Sequence, residues 1–143
     1  MTIVYPDTSI IVSAYTDEIS TPISAAWIES IGNDDLTTSP WIETEIAAAL
    51  AGKTRGRLIS RDKRLALANI IRDLLSQSAV LIPIRQGHFT LAADFITRSE
   101  KPLRAGDALH LAIAADAGAT IWTLDRPMVE AGQALALDVC LLT

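Results

Sequence analysis

Residues 106–125, Gly-Asp-Ala-Leu-His-Leu-Ala-Ile-Ala-Ala-Asp-Ala-Gly-Ala-Thr-Ile-Trp-Thr-Leu-Asp, constrain the fold more than any other stretch. The alanines and leucines after Asp107 favour a helix. Asp107 falls in its first turn, where the helix dipole favours an acid. Gly118 stands where a left-handed C-cap belongs, and residues 119–124 are a short apolar run of the kind that forms a buried strand. A helix of ~11 residues advances ~16 Å, and a strand of ~5 residues returns ~17 Å. The two lengths nearly cancel, so Asp107 and Asp125 are expected on one rim. In an open parallel sheet that rim is the carboxyl edge of the strands, where ligands bind.

The surrounding chain repeats this alternation. Ile3-Val4-Tyr5, closed by Pro6, reads as a central strand with Asp7 at its carboxyl end, although Asp-Thr-Ser also resembles a helix N-cap. Thr21-Pro22 opens a helix with Ile23, Ala26, Trp27 and Ile31 on one apolar face, ended by Gly32. Asp34 and Asp35 read as solvated loop charges, and residues 36–38 as a second strand. Ser39-Pro40 starts a helix ending at Gly52, with Trp41, Ile42, Ile46, Ala49 and Leu50 on its apolar arc. Glu45 falls inside that arc and Glu43 at its polar border. An acid on the core side needs a partner or a cation, because an unpaired buried charge is costly; an arginine elsewhere is the alternative partner.

Lys53, Arg55, Arg57, Arg61, Lys63 and Arg64 follow, six of the chain's 12 basic residues. A helix from about Arg61 has Leu65, Leu67, Ala68, Ile71, Leu74 and Leu75 as its core face. Residues 79–84 read as a strand ending near Pro83, residues 88–98 as a helix, and 99–105 as a polar connection. Arg126-Pro127 starts a last helix closed by Gly132, and residues 135–142 read as the final strand. This order predicts a three-layer α/β/α sandwich around a mostly parallel sheet, one domain over residues 1–143.

The net charge of −5 argues against bulk nonspecific nucleic-acid binding, so any such contact must be local. The basic run is either a solvated face or a phosphate-backbone contact, and Arg126 carries the same two readings. The single cysteine, Cys140, rules out a disulfide framework or a thiolate metal cluster within the chain and is compatible with a reducing cytoplasm. Residues 1–5 already read as strand, so no leader is expected. No apolar run approaches the ~20 residues of a membrane span.

Asp7, Glu45, Asp107 and Asp125 are thus each expected at or near one rim. Two like charges ~5 Å apart repel by ~3 kcal/mol at an effective dielectric near 20. Such a group needs a cation or shared protons. Mg²⁺ or Mn²⁺ would accept carboxylate oxygens and phosphate oxygens together, which points to metal-assisted phosphodiester hydrolysis.

Val4-Tyr5-Pro6-Asp7-Thr8-Ser9, Ser39 with Glu45-Ile46-Ala47-Ala48-Ala49-Leu50, Gly106-Asp107-Ala108-Leu109-His110-Leu111-Ala112 and Thr123-Leu124-Asp125-Arg126 together resemble the four motifs of PIN-domain ribonucleases. Length and motif order look like the VapC toxins of toxin–antitoxin pairs. Pro6 departs from the family's usual aliphatic residue. The resemblance implies that Asp7, Glu45, Asp107 and Asp125 form the metal-binding and catalytic set. It gives Thr123, with Thr8 or Ser9, the role of orienting waters or carboxylates. It also implies an RNA substrate of the tRNA or rRNA class, a homodimer and a small silencing antitoxin. The helices around Trp27 and from Leu65 to Leu75 are candidate partner surfaces, with core packing as the alternative. His110 is expected as a satisfied core histidine. Two rival readings are a silent PIN-fold binding module and a phosphoacceptor receiver domain. The receiver would need a lysine at a late strand end, where Lys53, Lys63 and Lys101 do not stand.

Overall fold

The structure is a computed structural model that describes residues 3–31 and 36–143. Met1, Thr2, the expected helix stop Gly32 and the expected loop acids Asp34 and Asp35 lie outside the described residues.

Strand β1 (Ile3–Pro6) lies at the centre of a five-stranded sheet. β2 (Leu36–Thr38) and β3 (Ala79–Leu81) lie on one side, and β4 (Ala119–Thr123) and β5 (Val139–Leu141) on the other. Every pairing is parallel. β1 and β4 run in step from Ile3 opposite Ala119 to Pro6 opposite Trp122. The pairing continues one bond further, with Asp7 N–H donating to Trp122 O at 2.9 Å. Strand order reverses between β1 and β4, which makes the carboxyl end of this pair the switch point where open α/β sheets bind ligands.

The helices are α1 (Thr8–Tyr15), α2 (Thr21–Ile31), α3 (Trp41–Arg55), α4 (Arg61–Ser78), α5 (Gln86–Arg98), α6 (Ala105–Asp116) and α7 (Arg126–Ala134). One apolar core joins Ile11, Ile42, Ile46, Leu50, Leu67 and Ile71 from α1, α3 and α4. The other joins Tyr5 and Ile121 of the sheet to Phe95, Leu111, Ile113 and Met128 of α5, α6 and α7. The chain is therefore the three-layer α/β/α sandwich that the alternating pattern predicts. Gly118 adopts φ +66° and turns α6 directly into β4, the left-handed step that favours glycine.

Several local expectations are corrected. Asp7 both follows β1 and caps α1, accepting from Ser9 N–H; the strand-end and N-cap readings describe one residue. α3 runs through Gly52 to Arg55. It stops where Arg57 takes φ +60° and Leu58 N–H bonds back to Lys53 O at 2.9 Å, a Schellman-type closure. On α2, Ala26 is exposed and Ser24 is the buried residue, hydrogen-bonded to Ser13 Oγ at 3.0 Å. Trp27 is half-buried against the Trp122 ring, 5.8 Å away. On α4, Leu65 faces solvent while Leu67, Ile71 and Leu75 are buried.

α5 begins at Gln86, two residues ahead of the expected start, because His88 Nδ1 accepts from Arg85 N–H and caps it. β3 ends at Leu81, two residues before Pro83, which carries no N–H for a sheet ladder. α7 passes through Gly132 to Ala134, and residues 135–138 form a turn with Ala136 at φ +59°, so β5 keeps only Val139–Leu141. Gly132 is there for close approach: a Cβ would stand 2.6 Å from Val139 Cγ1.

Gly132→Ala should therefore destabilise the fold by about 1–2 kcal/mol. Overpacking of roughly 1–3 kcal/mol is partly offset by alanine's better helix propensity. In thermal melts the double variant Gly132→Ala/Val139→Ala should lose less than the sum of the two single variants. Strict additivity would count against the close-packing account.

Candidate active site

Four segments deliver the four acids to the switch point. β1 ends at Pro6 and hands over Asp7, which is 5% exposed. β4 ends at Thr123, two residues before Asp125, which is the N-cap of α7. α6 opens at Ala105 and presents Asp107 in its first turn. α3 starts at Trp41 and presents Glu45 about one turn in, half-buried, whereas Glu43 is exposed as its polar-border position implies. α3 and α6 are tied there by Trp41 Nε1–H donating to Gly106 O at 3.3 Å. A Cβ at Gly106 would lie 2.8 Å from Glu45 Oε2, so a side chain there would push that carboxylate out of its place.

Short hydroxyl side chains hold the acids in place. Thr123 Oγ1 donates to Asp7 Oδ2 at 2.6 Å and accepts from Asp125 N–H at 3.0 Å. Ser9 Oγ donates to Asp7 Oδ1 and accepts from Leu124 N–H at 3.1 Å. Thr8 Oγ1 donates to Glu45 Oε1 at 2.6 Å. All three hydroxyls singled out in the sequence therefore touch the acid group.

Glu45 has no arginine partner among the described residues. Its Oε1 meets His110 Nε2 instead. His110 is 1% exposed, and its Nδ1 lies 2.6 Å from the Tyr5 hydroxyl, which in turn lies 2.8 Å from Ser39 Oγ. Nε2–H donates to the carboxylate whether the ring is neutral or protonated, while Nδ1 accepts from Tyr5 in the neutral ring and donates to it in the imidazolium, the Tyr5–Ser39 bond reversing to match. His110 is thus the satisfied core histidine that its place on α6 implies. It is satisfied by the acid group itself, and that link was missed in the sequence, as was Tyr5. No local pattern reveals a contact between residues 105 positions apart.

The electrostatics follow from burial and crowding. Burial raises the Asp7 carboxyl above its usual range, against the hydrogen bonds from Ser9 and Thr123. Burial also raises Asp107, to about 6, with added repulsion from Asp7, Asp125 and Glu45. Burial alone would raise Glu45, but the hydrogen bond and charge of His110, with Thr8, outweigh it and hold Glu45 below its usual value. Asp107 therefore senses all three other acids, so the group is one electrostatic unit.

Among the described residues no three His, Cys, Asp or Glu side chains already close into a metal cage. The donors on the rim are nonetheless all oxygens. Hard cations such as Mg²⁺ need only one or two carboxylates and complete their shell with water and phosphate. The oxygen chemistry of the four carboxylates suits such an ion. Asp7, Glu45, Asp107 and Asp125 are its candidate ligands.

Arg55, Arg57 and Arg61 are exposed at the corner between α3 and α4, and Arg126 is exposed at the start of α7. None of these arginines forms an ion pair among the described residues. A cleft of about 370 Å³ adjoins the rim and shares Thr8, Ser9 and Asp125 with it. Elsewhere Asp94 pairs with Arg98 on the surface at 2.8 Å, and His88 pairs with Asp116 at 2.8 Å, both away from the rim. Lys53 and Lys63 lie on helices and Lys101 in a connection, so no lysine follows a strand as a receiver domain requires.

Fold and rim together define an α/β protein with an acidic switch point. The chain belongs to the PIN domain family, which matches residues 4–133. Among curated proteins no sequence matches it. Solved structures with the same fold include VapC20 of Mycobacterium tuberculosis, described as a Sarcin-Ricin loop cleaving toxin. It is 16% identical, with a TM-score of 0.69 over 90% of this chain and 95% of that one. VapBC2 of Rickettsia felis, bound to a DNA fragment from their promoter, is 14% identical, with a TM-score of 0.72 over 99% of this chain and 100% of that one. FitAcB of Neisseria gonorrhoeae is 19% identical, with a TM-score of 0.66 over 98% of this chain and 96% of that one.

The raised Asp107 carboxyl has a consequence for stability. Its folded value, about 6, exceeds the ordinary 3.8, so between those pH values the folded state holds the proton more tightly. Stability in chelator should therefore fall as pH rises from about 4 to about 6 and then level off. The effect should be on the order of 1 kcal/mol once solvent screening of this part-exposed group is allowed for. Asp107→Asn should flatten that part of the curve. Denaturant titrations at pH 4.5 and pH 7 compare the two; parallel pH profiles would remove the repulsion account.

Proposed function

We propose that this chain is a metal-dependent endoribonuclease, the toxin of a toxin–antitoxin pair, acting as a single nuclease domain of residues 1–143. The observation that carries the reading is the meeting of Asp7, Glu45, Asp107 and Asp125 from four segments at one rim, with no lysine or arginine bound to them among the described residues. An acid cluster that binds no lysine or arginine is suited to a divalent cation.

Asp7, Glu45, Asp107 and Asp125 would hold Mg²⁺ or Mn²⁺, which when bound supplies an activated water and offsets charge on the phosphate and leaving oxygen. Ser9 and Thr123 fix both oxygens of Asp7, and Thr8 and His110 fix one oxygen of Glu45. The pocket therefore needs little reorganisation to receive its substrate. Arg55, Arg57, Arg61 and Arg126 would contact the RNA backbone, giving an acidic protein a local basic approach. The neighbour described as cleaving the Sarcin-Ricin loop supports a structured tRNA or rRNA as the substrate class. The complexes FitAcB and VapBC2 support a cognate antitoxin. Leu65 and Ile70, 52% and 50% exposed on α4, support an apolar partner surface for the antitoxin or for a homodimer. Among the described residues no helix is long and apolar enough to cross a membrane. A cytoplasmic setting, where RNA and antitoxin are found, completes the reading.

Purified protein should cleave RNA only with Mg²⁺ or Mn²⁺. Asp7→Asn, which keeps the buried cap, should lower the rate by roughly a hundredfold or more, since metal-based charge stabilisation contributes several kcal/mol. A folded protein that binds RNA without cleaving it would support the silent binding module instead. Equal cleavage by wild type and variant would reveal a contaminating nuclease.

Arg55→Gln/Arg57→Gln/Arg61→Gln should weaken RNA binding across sequences. It should also reduce the slope of log affinity against log salt by up to about 2, at roughly 0.7 per lost single-strand phosphate contact. An unchanged slope would return these arginines to a merely solvated face.

A further inference from the structure

The cleft beside the rim adds Glu18, Ser20 and Lys53 to Thr8, Ser9 and Asp125. Lys53 is the one cation lining it among the described residues. It reaches the cleft because α3 continues through Gly52. Glu45, Ala49 and Lys53 succeed one another at intervals of four along one face of that helix, all half-buried. Lys53 thus stands about 12 Å along the helix from Glu45, on the same wall. Its side chain is only 17% exposed, and its ammonium is bound to none of the four acids of the rim. Its partner is Glu18, with Nζ 2.7 Å from Oε1.

Glu18 belongs to the short connection between α1 and α2. That connection is pinned by Glu18 N–H donating to Thr21 Oγ1 at 2.9 Å and by Ser20 Oγ donating to Glu18 Oε2 at 3.3 Å. The carboxylate is therefore held over the cleft from both oxygens.

We propose that this cleft is a nucleotide subsite of the ribonuclease reading above, with Lys53 as the anchor for a backbone phosphate and Glu18 as the anion that phosphate displaces. The rim's carboxylates repel an RNA strand. A metal held by the rim would offset the charge of the phosphate under attack, but a neighbouring phosphate needs a cation of its own. Lys53 supplies one beside the rim, with three donors on a flexible stem. Its exchange of Glu18 for a phosphate oxygen keeps the ammonium paired, and the released Glu18 carboxylate, a third exposed, passes its charge to solvent. The cleft volume, about 370 Å³, suits a ligand of nucleotide size. The exposed arginines at the α3–α4 corner begin two residues beyond Lys53, so the strand would pass from them onto Lys53 and then to the rim.

A phosphate anchor and its competitor answer mutation with opposite signs, whereas two halves of a structural ion pair answer with the same sign. Binding of a short, labelled single-stranded RNA is measured by fluorescence anisotropy in full chains that also carry Asp7→Asn, so that the RNA is not consumed. Lys53→Gln should weaken binding by roughly tenfold, the loss of one charge-assisted hydrogen bond. It should also lower the salt slope by about 0.7. Glu18→Gln should tighten binding by roughly threefold, within the range of a part-exposed ion pair. Lys53→Met keeps the apolar stem and should match Lys53→Gln, and melting curves show that each variant is folded.

Equal affinities, or shifts of the same sign in the Lys53 and Glu18 variants, overturn the subsite. Mg²⁺-dependent cleavage by the unmutated chain, run in parallel, separates the two readings. Cleavage with no opposite-sign binding response leaves the nuclease and removes the subsite. Opposite-sign binding without cleavage leaves the subsite and removes the nuclease.

Discussion

The parallel pairing of β1 with β4 is the constraint on which the rest of the structure depends. It brings the ends of two strands more than a hundred residues apart in sequence into neighbouring positions, and it does so where the order of the sheet reverses. No helix can cover that end, because the chain leaves β1 and β4 toward opposite sides. The gap is filled by short polar side chains. Ser9 and Thr123 each bond one oxygen of Asp7 while accepting a backbone N–H of the 124–125 corner. The polar seam that closes the sheet and the seam that holds the acids are therefore the same seam. A buried carboxylate is tolerable there only because its hydrogen bonds also satisfy the strand ends.

Glu45 is handled by a different route. It comes from a helix on one face of the sheet, while His110 comes from α6 on the other. Their contact crosses the carboxyl edge. Tyr5, wholly buried in β1, supports the imidazole from beneath and is itself steadied by Ser39 at the end of β2. Three layers thus converge on one carboxylate through a continuous run of hydrogen bonds. In a low-dielectric interior such a run is rigid when every member is satisfied, as here. Gly106 completes the arrangement by leaving the space that Glu45 Oε2 occupies.

What was legible in the sequence divides by distance along the chain. The elements from Gly106 to Asp125 were readable to within about two residues at their ends, because helix length, the glycine turn and strand length are local quantities and their sum places both aspartates. The inward face of Glu45 was readable from helical spacing alone. Asp7 invited two readings, and the structure uses both, since the end of a strand is also the cap of the next helix. The Tyr5–His110–Glu45 run was not readable, because pairing across 105 and 65 positions leaves no local trace. Lys53 was lost for another reason. Gly52 looked like a helix stop, which put Lys53 in a loop. A single glycine inside a helix costs only about 1 kcal/mol relative to alanine, and packing of Leu50 and Ile46 outweighs it. The helix persists, and with it the register that carries Lys53 to the wall shared with Glu45.

The acids themselves are unequal, and the inequality is informative. Asp7 has both oxygens engaged and Glu45 has one, whereas no side-chain or backbone donor reaches the Asp107 or Asp125 carboxylates among the described residues. The repulsion of the cluster accordingly falls on Asp107, whose carboxyl alone is lifted by all three neighbours. Folding thus completes half of the site and leaves the other half electrostatically unbalanced. Asp107 and Asp125 are half-buried, and solvent is what remains to meet their charge. A site that binds a cation benefits from rigid ligands on one side and unshielded charge on the other. In the metal-dependent reading proposed above, the rigid pair would set where the ion sits, and the unshielded pair would provide the attraction that brings it there.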